Sequence, residues 1–345
     1  MKRMILISVA VLILLLPTAC EHKALCYLHE HADMIRVNVD WSKFEQEEPT
    51  GMSIYFYPED ESMETVRVLS NTTTHAYVRL QPAEYRIVVH NQSPSEFGSF
   101  TFHDMEYHGE ATVRTDERKS KWYQLAEGEK LGAHPEWLAF DMQEAEVTQE
   151  MLDSVTVDDH LTKSAVTDST DALVTLTPLN VIYTLHVSIG IEGIQNYRAA
   201  RAAVTGMADG YRPGDRQYHE DKVTHLLESW VVTDRSEDSQ GDQTGRIVSE
   251  ITCFGLPHAH NGNPEENKLH LTLLLADNKT YVEHTFDVGD LFRYKMREND
   301  PMHLHLDLML PGRLPDVEHV DDGTTSGFDA VVEDWGDEIN QNVGL

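Results

Sequence analysis

Residues 35–41 read Ile-Arg-Val-Asn-Val-Asp-Trp, in which apolar and polar side chains alternate with a period of two. Because successive side chains of a β-strand point to opposite faces, this period predicts a half-buried strand. The same alternation recurs over 181–191, 269–275 and 304–310, where large apolar residues take every second position. Short strands separated by turn residues in both halves of the chain predict an all-β protein made of two antiparallel sandwich domains in tandem.

Three segments break this strand pattern. Residues 142–172 are rich in Glu, Asp, Ser and Thr, which predicts an irregular acidic connector with one helical turn near 149–152. We therefore expect an N-terminal domain over 33–172, with the connector at its end, and a C-terminal domain over 173–345. The alanines of 194–203 favour a short helix. The acidic and glycine-containing stretch 231–245 is expected to be a solvated loop.

The first twenty residues have the pattern of an export signal. Lys2 and Arg3 precede an apolar run over 4–16 that is too short to span a membrane, for which about 20 residues are needed. The run ends in Leu-Pro-Thr-Ala-Cys at 16–20, which resembles a bacterial lipoprotein box. We expect a signal peptide over 1–19, acylation of Cys20 with chains such as palmitate, and a tether over 20–32. An ordinary cleaved signal with a chance cysteine is the alternative.

Charge and cysteine content restrict the partners. The chain carries 59 acidic against 27 basic residues, a formal net charge of −32. Such a surface repels phosphate backbones, so we expect no nucleic-acid binding, and membrane contact is expected through acyl chains on Cys20. Beyond Cys20 the chain has Cys26 and Cys253. These two either form one disulfide or remain buried free thiols, and the sequence leaves both open.

Histidine is the residue type most suggestive of a metal site. Three His-x-His pairs occur, and two imidazoles on one face of a strand can share a metal ion. Together with Asp307, the pair His303 and His305 makes a three-ligand set. The alternative is that these residues only form the solvent-exposed face of a strand. A denser group near the N-terminus is a candidate zinc site, or else part of a tether that packs on the first domain; it comprises His22, Cys26, His29 and His31.

Sequence motifs of catalysis are absent. The chain has no Gly-x-Ser-x-Gly, His-Glu-x-x-His, Cys-x-x-Cys or phosphate-binding glycine loop. We therefore expect no enzymatic activity and no cofactor. Trp122, Tyr123, Trp137 and Trp230 are candidates for stacking on a sugar, and their alternative place is the core.

Several stretches together resemble the fimbrillin-like lipoproteins of Bacteroidota, the subunits and anchors of type V pili, and in particular an uncharacterised branch of them. The Cys-Tyr-Leu-His-Glu-His of 26–31 followed by the strand 35–41 is similar to the opening of that branch. Residues 80–91 are similar to a strand pair of the first domain, and 203–208 to a strand of the second. Residues 254–257 and 328–335 also match in position.

This resemblance implies two transthyretin-like Greek-key sandwiches and export to the outer membrane. It also implies assembly by strand exchange, in which a protease cuts after an arginine and a neighbour's strand fills the groove left by the first strand. The residues implied at that interface are Ile35, Val37, Val39 and Trp41 in the first strand, and Phe328, Val332 and Trp335 near the end of the chain. Alternatively, 328–345 is a final strand that closes its own sheet.

The available arginines, Arg36 and Arg67, fall inside strand patterns rather than in open loops. This favours a protein that keeps its first strand and serves in pilus anchoring, assembly or adhesion at the cell surface. The expected partners are outer-membrane lipid and other pilus subunits. A surface glycan- or ligand-binding lipoprotein without a pilus role is the second hypothesis.

Overall fold

The computed structural model describes residues 34–152, 172–237, 239, 241–257, 262–297 and 300–320. Its strands, numbered in chain order, are β1 Ile35–Val39, β2 Met52–Pro58, β3 Val66–Ser70, β4 His75–Val78, β5 Ala83–Asn91, β6 Phe100–His103, β7 Thr112–Thr115, β8 Glu117–Arg118, β9 Leu131–Gly132, β10 Ala139–Val147, β11 Ala172–Leu176, β12 Leu179–Asn180, β13 Tyr183–Glu192, β14 Tyr197–Ala208, β15 Gly210–Arg212, β16 Gln217–Tyr218, β17 Lys222–Leu227, β18 Val231–Glu237, β19 Gln243–Cys253, β20 Lys268–Leu275, β21 Tyr281–Asp287, β22 Arg293–Arg297 and β23 Asp300–Arg313.

Helix is confined to short pieces in the described residues. Three 3₁₀ turns cover Pro94–Glu96, Ile194–Asn196 and Gly289–Leu291, and a single α-helical turn lies at 149–152, where it was predicted. The all-β sandwich class predicted from the sequence is therefore confirmed.

Two sheets form the first sandwich. A three-stranded sheet in the order β11-β1-β4 packs on a five-stranded sheet in the order β12-β10-β5-β2-β3. Their facing side chains, which include Val37, Ile54, Phe56 and Ile87, are completely buried. Burial of this kind contributes roughly 1.5–3 kcal/mol for each large apolar side chain, which is enough to fix the register of each strand.

Two larger sheets form the second sandwich, in the orders β18-β19-β13-β23-β22 and β21-β20-β14-β17-β9-β8. The alternating leucines of β20 and β23 point inward, as predicted, and Leu271 and Leu306 are each about 1% exposed. Strand β23 pairs with β13 in parallel, and β1 with β11 likewise, although most pairs are antiparallel.

A fifth sheet, β16-β15-β7-β6, joins the two sandwiches. It covers the second face of the β5-β2 sheet, so that β2 is buried on both faces. Tyr55 and Tyr57 on that face belong to the same continuous core as Phe100, Leu185 and Leu306. The two sandwiches therefore share one apolar interior.

Strand pairing crosses the predicted boundary at 172 and 173. Strand β11 begins at Ala172 but pairs with β1, and its Leu176 is buried in the first core, so this strand corrects the boundary by a few residues. In the other direction, β7 pairs with β15 and β9 pairs with β17. These pairs follow from tertiary packing, which leaves no local pattern in the sequence.

Two local predictions are wrong. Residues 194–203 form a 3₁₀ turn and then β14 instead of a helix, because Ala200 and Ala202 pair with Leu273 and Leu271 of β20 and are buried in the shared core. Residues 231–245 contain β18 and the start of β19 instead of a loop. Strand β18 is an edge strand, and its polar composition suits the solvated edge of a sheet.

The segment 203–208, which resembles the fimbrillin-like pattern, contains a bulge in β14. Gly206 has φ +74°, a region that favours glycine, and the register of β14 shifts between Val204 and Met207. The side-chain amide of Asn267 donates to the carbonyls of Thr205 and Gly206 at 3.0 and 2.9 Å. A side chain at position 206 would press on this amide, which explains the glycine in the motif.

Candidate functional site

Strand β1 is the central strand of its sheet. It pairs antiparallel with β4 on one side and parallel with β11 on the other. At its C-terminal end, the Val39 amide donates to the Thr74 carbonyl at 2.9 Å and the Asp40 amide to the Leu176 carbonyl at 2.8 Å. Strand β1 therefore supplies the backbone bonds that hold β4 and β11 in one sheet.

The side chains of β1 separate by face, as predicted. Ile35, Val37 and Val39 are 6%, 0% and 5% exposed and pack in the first core. On the other face, the Arg36 guanidinium donates to the Asn38 side-chain carbonyl at 2.9 Å. These apolar positions have the spacing of a strand that fills a groove.

Trp41 closes the end of this groove. Its indole nitrogen donates to the Thr73 carbonyl at 2.8 Å, and its ring contacts Phe44 at a centroid distance of 6.1 Å. Three of the four N-terminal residues of the predicted interface therefore lie in β1, and Trp41 follows two residues after its end. Without β1, a trough lined by Ala76, Val78 and Leu176 would separate two unpaired strand edges.

The two early arginines both lie in strands. Arg36 is inside β1, opposite Tyr77 of β4. Arg67 is in β3, with its guanidinium carbon 5.3 Å from the centre of the Tyr55 ring. A protease must therefore extract a strand before it can cut at Arg36, since cleavage needs extended and accessible backbone.

The remaining predicted site residues lie outside the described part of the chain. These are the lipidation site Cys20, the tether residues His22, Cys26, His29 and His31, and the C-terminal residues Phe328, Val332 and Trp335. The pair His258 and His260 also falls there. Cys253 is described and is a buried free thiol, and burial raises its pKa to about 12.

An open groove of about 1120 Å³ lies on the sheet that contains β14, β20 and β21. Trp122 and Tyr123 line it, together with Arg201, whose guanidinium carbon lies 4.6 Å from the centre of the Trp122 ring. The Trp122 indole nitrogen donates to Glu228 at 2.8 Å. Burial and the Glu129 carboxylate that accepts its hydroxyl raise the pKa of Tyr123 well above its usual value, so this hydroxyl stays a donor.

The other predicted tryptophans do not join this groove. Trp230 is 5% exposed and belongs to the shared core, which fits the alternative reading of that residue. Trp137 packs partly buried against the same core at a separate shallow site with His134.

A cluster of three histidines lies on the outer face of the second sandwich. His303 and His305 of β23 face outward, as predicted, and His186 of β13 joins them. Asp307, the third member of the predicted set, instead forms an ion pair with Arg246. His186 cannot be joined to this pair from the sequence, because it lies 117 residues from His303. The sequence does indicate that His186 faces outward, because it lies between Leu185 and Val187, which face inward.

A charged cluster connects the shared layer to β17. The Arg114 guanidinium lies 3.0 Å from an Asp209 oxygen, 2.8 Å from an Asp221 oxygen and 2.6 Å from Nε2 of His219. Burial raises the pKa of Asp209, whereas the hydrogen bond from Arg114 lowers that of Asp221. Because Arg114 occupies the centre of the cluster, we assign it a structural role between the two halves of the chain.

Two β-sandwiches that share one apolar core define the fold of this chain. The chain belongs to the family described as a domain of unknown function (DUF5119), which matches residues 19–228. No curated protein matches it by sequence.

Among solved structures, a candidate adhesin from Bacteroides ovatus is similar with a TM-score of 0.51 at 15% identity, over 74% of this chain and 82% of that one. The fimbrial anchor protein Mfa2 from Porphyromonas gingivalis gives a TM-score of 0.45 at 11% identity, over 80% and 90% of the two chains. The family model thus places the chain in a family of unknown function, and the Bacteroides ovatus structure shows a related fold. Among the described residues, no helix has the length and apolarity needed to cross a membrane.

Proposed function

We propose that this protein is a non-enzymatic component of the cell surface that acts in pilus anchoring, assembly or adhesion. It is held at the outer membrane by acyl chains on Cys20 and joins other subunits by β-strand addition. The observation that carries the proposal is the seating of β1, a short central strand whose alternate side chains fill a groove between β4 and β11. Its occupation of that groove favours an anchor that retains its first strand.

The comparisons support the proposal at the level of fold. The Bacteroides ovatus structure is described as a candidate adhesin and is similar in fold over 74% of this chain. An acidic surface suits contact with other proteins better than contact with anionic lipid or nucleic acid. Strand addition would give affinity through backbone hydrogen bonds and specificity through pockets for alternate side chains.

A triple substitution near the end of the chain tests the strand-donor role. Phe328→Asp, Val332→Asp and Trp335→Asp should abolish heat-resistant oligomers with other surface subunits, because charged side chains cannot enter an apolar groove. The matched control, Asp329→Asn with Glu333→Gln in the same segment, should leave these oligomers in place. Equal oligomer formation by both variants would contradict a strand-donor role for this segment.

A second candidate function is the binding of a surface glycan, favoured by the groove that Trp122 and Tyr123 line. Aromatic rings can stack on sugar rings, and Arg201, His270 and Glu283 add polar groups along the same groove. One face of Trp122 is already covered by Arg201, so a sugar would stack on the other face.

A glycan array distinguishes the two functions. Saturable binding that Trp122→Ala removes and Trp137→Ala retains would support the glycan function, because Trp137 lies outside the groove. If such binding occurs while the C-terminal triple substitution leaves assembly intact, the glycan function replaces the pilus function.

A further inference from the structure

We propose that His186, His303 and His305 form a binding site for a divalent transition-metal ion such as Zn²⁺ on the outer face of the second sandwich. The three imidazoles would supply three ligands, and the fourth position would be open to water or to a donor atom from another molecule. The site is independent of the strand-exchange groove, which lies in the first sandwich.

Strand register brings the three histidines together. Strands β13 and β23 run in parallel, with His186 opposite His305 and Thr184 opposite His303. On the inner face of the same strands, Leu185 and Leu304 are completely buried, which fixes the histidines on the outer face. The backbone of two central strands therefore holds the site, and a site on strands is positioned more precisely than one on loops.

The ring nitrogens are close enough to share one ion. One nitrogen from each histidine lies within 4.8 Å of the other two. Nε2 of His186 and Nδ1 of His303 are 2.7 Å apart, and the rings of His186 and His305 stack at a centroid distance of 4.5 Å. A tetrahedral ion with metal–nitrogen bonds of about 2.0–2.1 Å separates its ligands by about 3.3 Å, so small side-chain rotations convert this arrangement into a coordinated one.

Glu250 orients the first ligand. Its carboxylate lies 2.6 Å from Nδ1 of His186, on the neighbouring strand β19. A proton on Nδ1 donated to Glu250 leaves the Nε2 lone pair directed toward His303 and the ion. Metal-binding histidines commonly donate their second nitrogen to a carboxylate in this way, which fixes the tautomer and makes the ligand more basic.

Two arginines on this face have other partners. Arg246 forms an ion pair with Asp307 and donates to the Ser188 hydroxyl at 2.7 Å. Arg293, which lies opposite His305 on β22, donates to the carbonyls of Asp290 and Phe292. No guanidinium among the described residues is recorded within hydrogen-bond distance of the His186 ring, and Glu250 adds a negative charge that favours a cation.

The ligand type selects the metal. Imidazole nitrogen suits Zn²⁺, Cu²⁺ and Ni²⁺, whereas Ca²⁺ and Mg²⁺ prefer oxygen ligands. His186 is 22% exposed and Glu250 64% exposed, so an ion could enter from solvent and a donor from a second molecule could complete its coordination.

Metal binding to the full chain, purified in detergent and stripped with a chelator, tests the proposal. We expect Co²⁺ to give the visible absorption bands of a tetrahedral complex and Zn²⁺ to displace it at one equivalent. Single substitutions His186→Ala, His303→Ala and His305→Ala should each weaken Zn²⁺ binding at this site at least tenfold. Glu250→Gln should weaken it about tenfold, since the loss of a group that orients a metal ligand typically lowers metal affinity 10–100-fold.

The control is His103→Ala, which removes an exposed strand histidine in the first half of the chain and should leave binding unchanged. Circular dichroism would show that each variant keeps its strands. A stoichiometry and affinity that are the same in wild type and in the His186 and His305 variants would overturn the proposal. So would a wild-type chain that gives no tetrahedral Co²⁺ spectrum.

Discussion

At the scale of single residues, two histidines are buried without charge. His90 lies within a ring of aromatic side chains, with its centroid 4.6 Å from that of Phe102, and Nδ1 lies 2.8 Å from the Asn91 carbonyl. Burial lowers the pKa of His90 to about 3, and burial does the same for His225. Both are therefore neutral in the folded protein, whereas in the unfolded chain they ionise near pH 6.5.

This difference predicts a loss of stability in acid. Because the folded pKa is depressed, the unfolded chain binds more protons between about pH 6.5 and pH 3, and the free energy of unfolding falls as the pH falls through that window. Each of these histidines should lower the free energy of unfolding at pH 5 by about 2 kcal/mol relative to pH 7.5. His90→Phe, whose ring suits the aromatic surroundings, should reduce the difference between the two pH values by about that amount in denaturant unfolding.

Val37→Ala, which removes no titratable group, provides the control. It should leave the difference in unfolding free energy between pH 7.5 and pH 5 as it is in the wild type. A His90→Phe variant with the full wild-type pH dependence would show that His90 is not neutral and buried.

The histidine cluster shows which part of a site a sequence pattern can predict. His303 and His305 were predicted to share one face of a strand, and they do. His186 could not be joined to them from the sequence, because its contact depends on a parallel pairing between strands more than a hundred residues apart. The predicted third member, Asp307, is one rung further along the strand and is paired with Arg246.

At the scale of elements, β1 holds the first sheet together. Val37 is completely buried at its centre, between β4 and β11. Val37→Ala should lower the free energy of unfolding by about 2–3 kcal/mol, because the removed methyl groups leave a cavity in a core that cannot fully collapse. Asn38→Ala, on the outer face of the same strand, should change it by less than about 1 kcal/mol. Equal effects in denaturant titrations would mean that β1 is not seated in the groove.

Strand β15 depends on a close approach to β7, which links the two halves of the chain. A Cβ atom at Gly210 would lie 1.9 Å from the Val113 carbonyl oxygen, a backbone atom that cannot move without breaking the pairing. Gly210→Ala should therefore destabilise the protein by about 3 kcal/mol or more.

Gly109→Ala is the matched control for this position. An added methyl group there meets nothing within 4 Å, so the unfolding free energy should stay within about 0.5 kcal/mol of the wild type. A tolerated Gly210→Ala would contradict the close packing of β15 on β7.

The elements also show what local sequence can and cannot predict. The strand over 35–41 and the leucine strands were evident, because burial on one face imposes a period of two. The alanines of β14 misled the prediction, because tertiary packing against Leu271 and Leu273 outweighs their helix propensity. Strand β2 is a second example, because the sequence around Tyr55 and Tyr57 does not indicate that a second sheet covers these side chains.

At the scale of the whole molecule, the two sandwiches are joined by a shared layer and a shared core. The sequence predicted their number and class but not this junction, since the pairing of β7 with β15 and of β9 with β17 depends on the tertiary fold. Separating the sandwiches would expose a continuous apolar interior, so burial of this interior holds them together.

The fate of the first strand distinguishes an anchor from a polymerising subunit. An anchor keeps both its acylated Cys20 and β1, whereas a polymerising subunit loses them together when a protease cuts at an arginine. The structure places Arg36 within the paired part of β1, which favours retention.

Intact mass and N-terminal analysis of the protein isolated from its own membranes tests this claim most directly. We expect a single species whose chain begins at an acylated Cys20 and continues through residues 35–41. A chain that begins after Arg36 or Arg67, or one with an unmodified Cys20, would contradict it.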